Sequence, residues 1–188
     1  LPYLRFKKSY DAAFKLNQKN IEAISISSYS QKRKEVNSRF VNLKFINNNE
    51  FIFFSNYESP KSQEFSEHNQ VTALIYWHQT NTQIRLKALI SKTSADFNNE
   101  YFMNRSHDKN ALSISSNQSI QIDSYQNVID NYNECLELDN LMNCPKYWGG
   151  FSFTPYYFEF WEGHDFRLNK RDIYEKSGDD WNHYILQP

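Results

Sequence analysis

Glycine is scarce in this chain: 188 residues contain four, at positions 149, 150, 163 and 178. A phosphate loop of the G-x-x-x-x-G-K-[ST] kind and a dinucleotide-binding fingerprint each need several glycines close together, so both are excluded. Phe, Tyr and Trp together make 17% of the chain, a bias that favours extended backbone. The length suits one domain, residues 1–188, large enough to bury a core without disulfide or metal staples.

Charge and apolar patterning narrow the class further. Lys plus Arg number 21 and Asp plus Glu 22, a formal net charge of −1. A nucleic-acid binder normally carries a basic excess, so no nucleic-acid partner is expected. The run Lys32-Arg33-Lys34 reads as a solvated turn. The longest apolar runs, 51–54 and 73–77, fall far short of the ~20 residues that a membrane span needs. No membrane partner is expected. The opening LPYLRFKKSYDAAF lacks the basic, apolar and small-residue segments of a signal peptide. Cys135 and Cys144 are too few for a disulfide framework, and the two together point to a reducing cytoplasm. The chain does not start with Met, which leaves room for residues upstream.

Periodicity predicts a helix over 9–20, then a strand in which Ile24 and Ile26 alternate with Ser25 and Ser27. A turn over 30–35 leads to a strand over 36–45, a turn at 47–49 and a strand over 51–55. Ser59-Pro60 has the residues of a helix start. Strands follow over 71–77 and 83–91. Ser94 can cap a helix that stacks Phe97 on Tyr101. The spacing of Tyr125, Val128, Ile129, Tyr132 and Leu136 predicts a helix over 123–139. The tail reads as strands over 151–153, 156–161, 166–174 and 181–186, with turns at Gly163 and Gly178. The fold class is therefore mainly β (α+β): an antiparallel barrel with flanking helices, closed so that few edges are exposed.

Common catalytic motifs are missing. The five His show no metal-ligand spacing, and no G-x-S-x-G elbow occurs. Cys135 falls on the apolar stripe of its helix and reads as a buried, inert thiol. What remains is cationic and amide side chains on strands. Strict alternation puts Arg167, Asn169 and Arg171 on one face of the 166–174 strand, where they are either an outward polar side or a grip on an anionic or heterocyclic ligand. Arg39 and Lys44 are five apart, which sends them to opposite faces unless a bulge or strand end intervenes. The helix opening at Ser59-Pro60-Lys61 offers free N–H groups and a cation to an anion, although most helix starts bind only water.

Taken in order, several segments resemble the pyridoxamine 5′-phosphate oxidase family: RFVNLK (39–44), FIFFSNYESPK (51–61), TQIRL near Gln83, YFMNR (101–105), the pair Gln118-Ser119, and YWGGFSFTPYYFEFWEGHDFRLNKR (147–171). The resemblance spans about 20–188. It implies an FMN-binding split β-barrel, a homodimer with FMN at the interface, and a dimerisation and substrate segment over about 147–188. It further implies FMN contacts at Arg39, Lys44, Phe54, Ser55, Lys61, Gln83, Gln118, Ser119, Trp148 and Arg171. The substrate side would comprise Lys44, Tyr101, Arg105, Lys109 and Arg167. Arg167 and Asn169 would stand at the reacting centre. The implied reaction, part of pyridoxine metabolism, oxidises pyridoxamine or pyridoxine 5′-phosphate to pyridoxal 5′-phosphate, with oxygen as acceptor and hydrogen peroxide as product.

The chain departs from the family pattern at four places. Pro60 stands where Arg is usual, Lys109 where Ser is usual, Asn169 where His is usual, and Phe54 where Tyr is common. The stretch LSISSNQS (112–119) is closer to the phenazine-precursor branch, yet Lys44, often absent there, is kept. The alternatives are therefore a relative of secondary metabolism acting on another cyclic compound, or a flavin-binding protein with little turnover.

Overall fold

The computed structural model describes every residue from Leu1 to Pro188. Helix α1 spans Pro2–Lys15, starting earlier than the apolar spacing suggests because Pro2 takes the first helical position, where its missing N–H costs nothing. Strands β1 (Ala23–Ser30) and β2 (Glu35–Asn42) form a hairpin. β3 (Phe45–Asn47) and β4 (Glu50–Asn56) form the next, turning at Asn48 with φ 53°. Helix α2 (Pro60–Glu67) precedes β5 (Gln70–Trp77) and β6 (Thr82–Lys92). Helices α3 (Ala95–Met103), α4 (His107–Ser115) and α5 (Tyr125–Leu136) lead to β7 (Trp148–Glu162), β8 (Lys170–Ser177) and β9 (Asp180–Leu186). The sequence pattern contains no signal for α4. It overextends α5, whose stripe is mostly half-exposed and has only Cys135 buried.

Topology closes the sheet. The hydrogen-bonded order is β2-β1-β5-β6-β7-β4-β3, with β8 and β9 added beyond β7. The two ends of that path, β2 and β3, are separated in the chain by Leu43 and Lys44 alone. Leu43 N donates to Glu22 O and Lys44 N to Ile52 O, at 2.9 and 2.8 Å. The backbone thus changes partners between these two residues, which curls the sheet into a split barrel. It also splits the strand expected over 36–45. That strand end lies between Arg39 and Lys44, so alternation no longer keeps them apart.

The C-terminal strands differ from the pattern too. The expected strands over 151–153 and 156–161 are one strand, β7, with Pro155 inside it. Pro155 sits where the register against β6 shifts, so its missing N–H falls at a bulge. The expected strand over 166–174 begins only at Lys170. Arg167 has φ 59° and its N–H donates to His164 O, while Asn169 Oδ1 accepts from His164 N. These contacts fold 164–169 into a turn, so Arg167, Asn169 and Arg171 do not share a strand face.

The barrel interior is one apolar cluster of 19 residues, with eight Phe among them. Phe51 stacks on Phe153 at 5.3 Å, and Phe6 from α1 packs edge-on against Phe51 at 5.0 Å. Burying each such ring stabilises the fold by roughly 1.5–3 kcal/mol. Helix α3 is fastened to β7 by Asn98. Its Oδ1 accepts from Gly150 N (2.8 Å) and Thr93 Oγ1 (2.6 Å), and its Nδ2 donates to Tyr57 Oη (3.0 Å). A Cβ on Gly149 would overlap Tyr57 Oη and Asn98 Nδ2. Gly149→Ala is therefore expected to destabilise the protein by about 1–3 kcal/mol, as overpacking does, and urea unfolding measures it. An unchanged midpoint would show that this junction yields.

Candidate functional site

A groove of about 780 Å³ opens where β2, β4, α2, α3, α4 and the 116–124 segment meet. Its size lies within the range of small-molecule and cofactor sites. One pole is cationic. Lys61, in the first turn of α2, donates from Nζ to Ser59 Oγ (2.9 Å) and to Gln118 Oε1 (2.6 Å). Ser55 Oγ donates to the same Gln118 oxygen at 3.1 Å. Gln118 is aimed there by a turn in which Ile120 N donates to Asn117 O and Ser119 takes φ 68°, the left-handed position such turns require. Burial, with Arg39 nearby, pulls the Lys61 ammonium down to about 8, against a smaller opposing pull from Glu64. Arg39 lies beside it, with Nη2 2.9 Å from Glu64 Oε2.

The wall beside this pole is aromatic. Phe54 stacks on Tyr101 at 3.9 Å and on Trp148 at 5.0 Å, with interplanar angles of 16° and 10°. The Asn98 fastening sets α3 at this height, which puts Tyr101, three residues on, against Phe54. The Arg105 guanidinium lies 4.5 Å above the Trp148 ring. It donates from Nη1 to Asn110 Oδ1 (3.1 Å) and Ser113 Oγ (3.0 Å), and from Nη2 to Lys109 O (3.2 Å). Burial lowers its affinity for a proton, and Tyr101 and Cys144 oppose that. Neither Lys61, Arg105 nor Lys109 forms an ion pair, whereas Lys44 is held 2.7 Å from Glu22. The groove thus offers unneutralised cations next to a flat aromatic wall, which suits a planar molecule bearing anionic groups.

Comparison with known proteins agrees with this chemistry. Residues 148–188 match the family model described as the pyridoxine 5′-phosphate oxidase C-terminal dimerisation region. A pyridoxine/pyridoxamine 5′-phosphate oxidase of Coxiella burnetii is 30% identical over all of this chain and 95% of its own length. One from Hydrogenovibrio crunogenus is 31% identical over 93% of this chain and 81% of its own length. The chain belongs to the pyridoxine/pyridoxamine 5′-phosphate oxidase family. It is accordingly an oxidoreductase with the split-barrel fold. The crystal structure of PhzG from Burkholderia lata, in complex with tetrahydrophenazine-1-carboxylic acid, superposes with a TM-score of 0.93. It is 25% identical and covers all of this chain and 92% of its own. A Nostoc punctiforme protein described as pyridoxamine 5′-phosphate oxidase-related and FMN-binding shares the fold at a TM-score of 0.80 and 11% identity, covering 97% of each chain.

For a member of this oxidase family, the arrangement of the candidate residues is uneven. Arg39, Lys44, Phe54, Ser55, Lys61, Gln118, Ser119 and Trp148 line the groove, as do Tyr101, Arg105 and Lys109. Gln83, Arg167, Asn169 and Arg171 do not. Trp148 and Trp161 stand near opposite ends of β7, roughly 40 Å apart along the curved strand, and Trp161 is paired in register with both Gln83 and Arg171. Gln83, Trp161 and Arg171 therefore form one row on the outside of the barrel. Arg171 is fastened there by Glu159, whose buried carboxylate also holds Arg85. Burial alone would raise the Glu159 carboxyl, but hydrogen bonds from Arg171 and Arg85 hold it below the usual carboxylate range. Sequence reasoning missed Trp161, whose only signal is its place in this row, and Glu64, which lies one helical turn after Lys61.

Proposed function

We propose that the protein is an FMN-dependent oxidase that converts pyridoxamine or pyridoxine 5′-phosphate to pyridoxal 5′-phosphate. The observation that carries this reading is the groove: the buried Lys61, the half-buried Arg105 and the exposed Lys109, all free of carboxylate partners, beside the Phe54–Tyr101–Trp148 stack. Arg39, Lys61, Ser55 and Gln118 suit the phosphate and polar chain of FMN, being donors or amides that converge on one place. Lys44, Tyr101, Arg105 and Lys109 suit the phosphate of the substrate. When bound, FMN supplies the redox chemistry, taking a hydride from the substrate carbon that bears the amine or alcohol and passing the electrons to oxygen, with hydrogen peroxide released. The chain's own part is to orient both molecules and to exclude water from between them.

The Gln83–Trp161–Arg171 row and the Arg167–Asn169 turn are assigned to a second copy's groove. Strand pairing links Phe40 on the groove rim, which is 76% exposed, through Ser25 and Leu74 to Arg85 and Glu159 on the same outer surface. The neighbouring row begins at Tyr76, 53% exposed. This outer surface carries the exposed apolar side chains Phe40, Leu74 and Tyr76 between the groove and the row, as a subunit interface does. A two-fold dimer built on it would bring Arg167 of the partner subunit to each groove, completing a site that one chain leaves open.

Purified protein should be yellow and should release peroxide with pyridoxal phosphate when given pyridoxamine phosphate in air. A colourless protein that takes up no added FMN would overturn the reading. The likeness to PhzG favours a second reading, an oxidase of secondary metabolism acting on a cyclic carboxylate. Bound FMN with turnover of tetrahydrophenazine carboxylates and none of vitamin B6 phosphates would establish it.

A pH dependence follows from Lys61. Its protonated form attracts a phosphate, and in the unliganded protein that form is lost as pH rises through about 8. FMN affinity should hold below that pH and fall above it, by up to tenfold per unit. Riboflavin, which has no phosphate, should show no such fall. Quenching of flavin fluorescence on binding measures both.

A further inference from the structure

Glu64 is a buried acid, 6% exposed, that lies outside the groove lining and against Arg39, one of the cations in that lining, whose ionisable groups are all cations apart from Tyr101. It projects from the second turn of α2, three residues after Lys61 and on the same face of the helix. Its two oxygens are fully engaged. Oε2 receives Arg39 Nη2 at 2.9 Å and the Ser28 hydroxyl, and Oε1 receives Asn37 Nδ2 at 2.9 Å. Arg39 Nη1 also donates to Ser28 Oγ. Three side chains from β1 and β2 thus converge on one carboxylate of α2, which holds the guanidinium in a single pose against the anion pole. Left alone, Arg39 and Lys61 repel each other, and a carboxylate between them offsets that repulsion.

We propose that Glu64 is a positioning residue: it holds Arg39 beside Lys61, so that two cations are already in place to receive one phosphate. The inference rests on the reading of this pole as the FMN phosphate site. The charged groups around Lys61 are Arg39 from β2 and Glu64 from its own helix, with Lys44, Arg105 and Lys109 along the rest of the groove. Ser59 and Gln118 are its neutral partners. Removing the carboxylate therefore acts in two ways. It frees Arg39, and it leaves Lys61 facing cations only, so that the lysine gives up its proton at lower pH.

The experiment titrates FMN and riboflavin into the flavin-free protein between pH 6 and 10, for wild type, Glu64→Gln, Glu64→Asp, Arg39→Gln and the Glu64→Gln/Arg39→Gln double variant. Glu64→Gln should weaken FMN at pH 7 by about tenfold or more, leave riboflavin unchanged, and move the fall in FMN affinity to lower pH. Glu64→Asp keeps the charge on a shorter arm. It should weaken FMN without moving the pH of the fall, and it serves if the Gln variant does not fold. In the Arg39→Gln background, Glu64→Gln should have little further effect on affinity at pH 6, where Lys61 stays protonated. Equal losses for FMN and riboflavin, or an unchanged FMN profile in Glu64→Gln, would overturn the proposal and leave a purely structural ion pair. Wild type that binds neither flavin would overturn the flavin reading itself, and this inference with it.

Discussion

Mixing two inactive variants is expected to restore about a quarter of the wild-type activity. The first variant, Lys61→Gln/Arg105→Gln, disables the groove. The second, Arg167→Ala/Arg171→Ala, disables the turn and the outer row. If each catalytic site takes its groove from one chain and its row from the partner, either variant alone makes only defective sites. A mixed dimer has one site carrying both defects and one carrying neither. Random pairing makes half of the dimers mixed, and half of their sites whole, which leads to that fraction. The variants should be denatured together, refolded with FMN, and assayed for peroxide release. No recovery, from chains shown to have exchanged subunits, would mean that each groove works with residues of its own chain. The physical reason to expect recovery is the length of β7, which holds Trp148 in the groove and carries Trp161 and its neighbour Arg171 far along the barrel.

Arg105→Ala should lower kcat/KM for pyridoxamine phosphate by one to two orders of magnitude. A hydrogen bond to a charged group contributes about 1.5–3 kcal/mol, and Arg105 has no carboxylate in the protein to compete for it. The loss should fall mainly on KM, because the phosphate is gripped alike in the ground state and the transition state. Bound FMN should be unaffected. Arg105→Lys should recover little, since one ammonium cannot reproduce a guanidinium that donates to Asn110, Ser113 and Lys109 O while facing the groove. Steady-state kinetics with pyridoxamine phosphate and with unphosphorylated pyridoxamine form the check. An equal loss for both substrates would place Arg105 away from the phosphate.

Several elements were legible in the chain because their signals are local. Ser94 caps α3, accepting from Phe97 N at 3.3 Å. Pro60 opens α2 with Lys61 in its first turn, and the Asn-rich turn sits between β3 and β4. Alternation in β1, β5 and β6 sorts the core from the surface. Other features were not legible, because hydrogen bonds that periodicity does not encode set them. The break at Leu43 and Lys44 depends on Glu22 O and Ile52 O. The turn at 164–169 depends on contacts between His164 and Asn169 that hold Arg167 at positive φ. Pro155 falls between the strands expected over 151–153 and 156–161, and only the bulge opposite Lys87 and Ala88 lets it stay inside one strand, β7.

Glu64 and Trp161 teach the same lesson at the candidate site. Each is an ordinary residue in its own segment. Glu64 matters only because Ser28, Asn37 and Arg39 arrive from another hairpin, and Trp161 only because Gln83 and Arg171 are its strand partners. Residue type, spacing and segment order by themselves determined the sheet-rich fold, the family resemblance and most of the cations gathered in the groove. Which of them share one cavity, and which stand at the far end of the barrel, only the tertiary structure decided. Periodicity assigns a side chain to a face of its own strand, whereas the meeting of two faces depends on register and closure between strands remote in the chain.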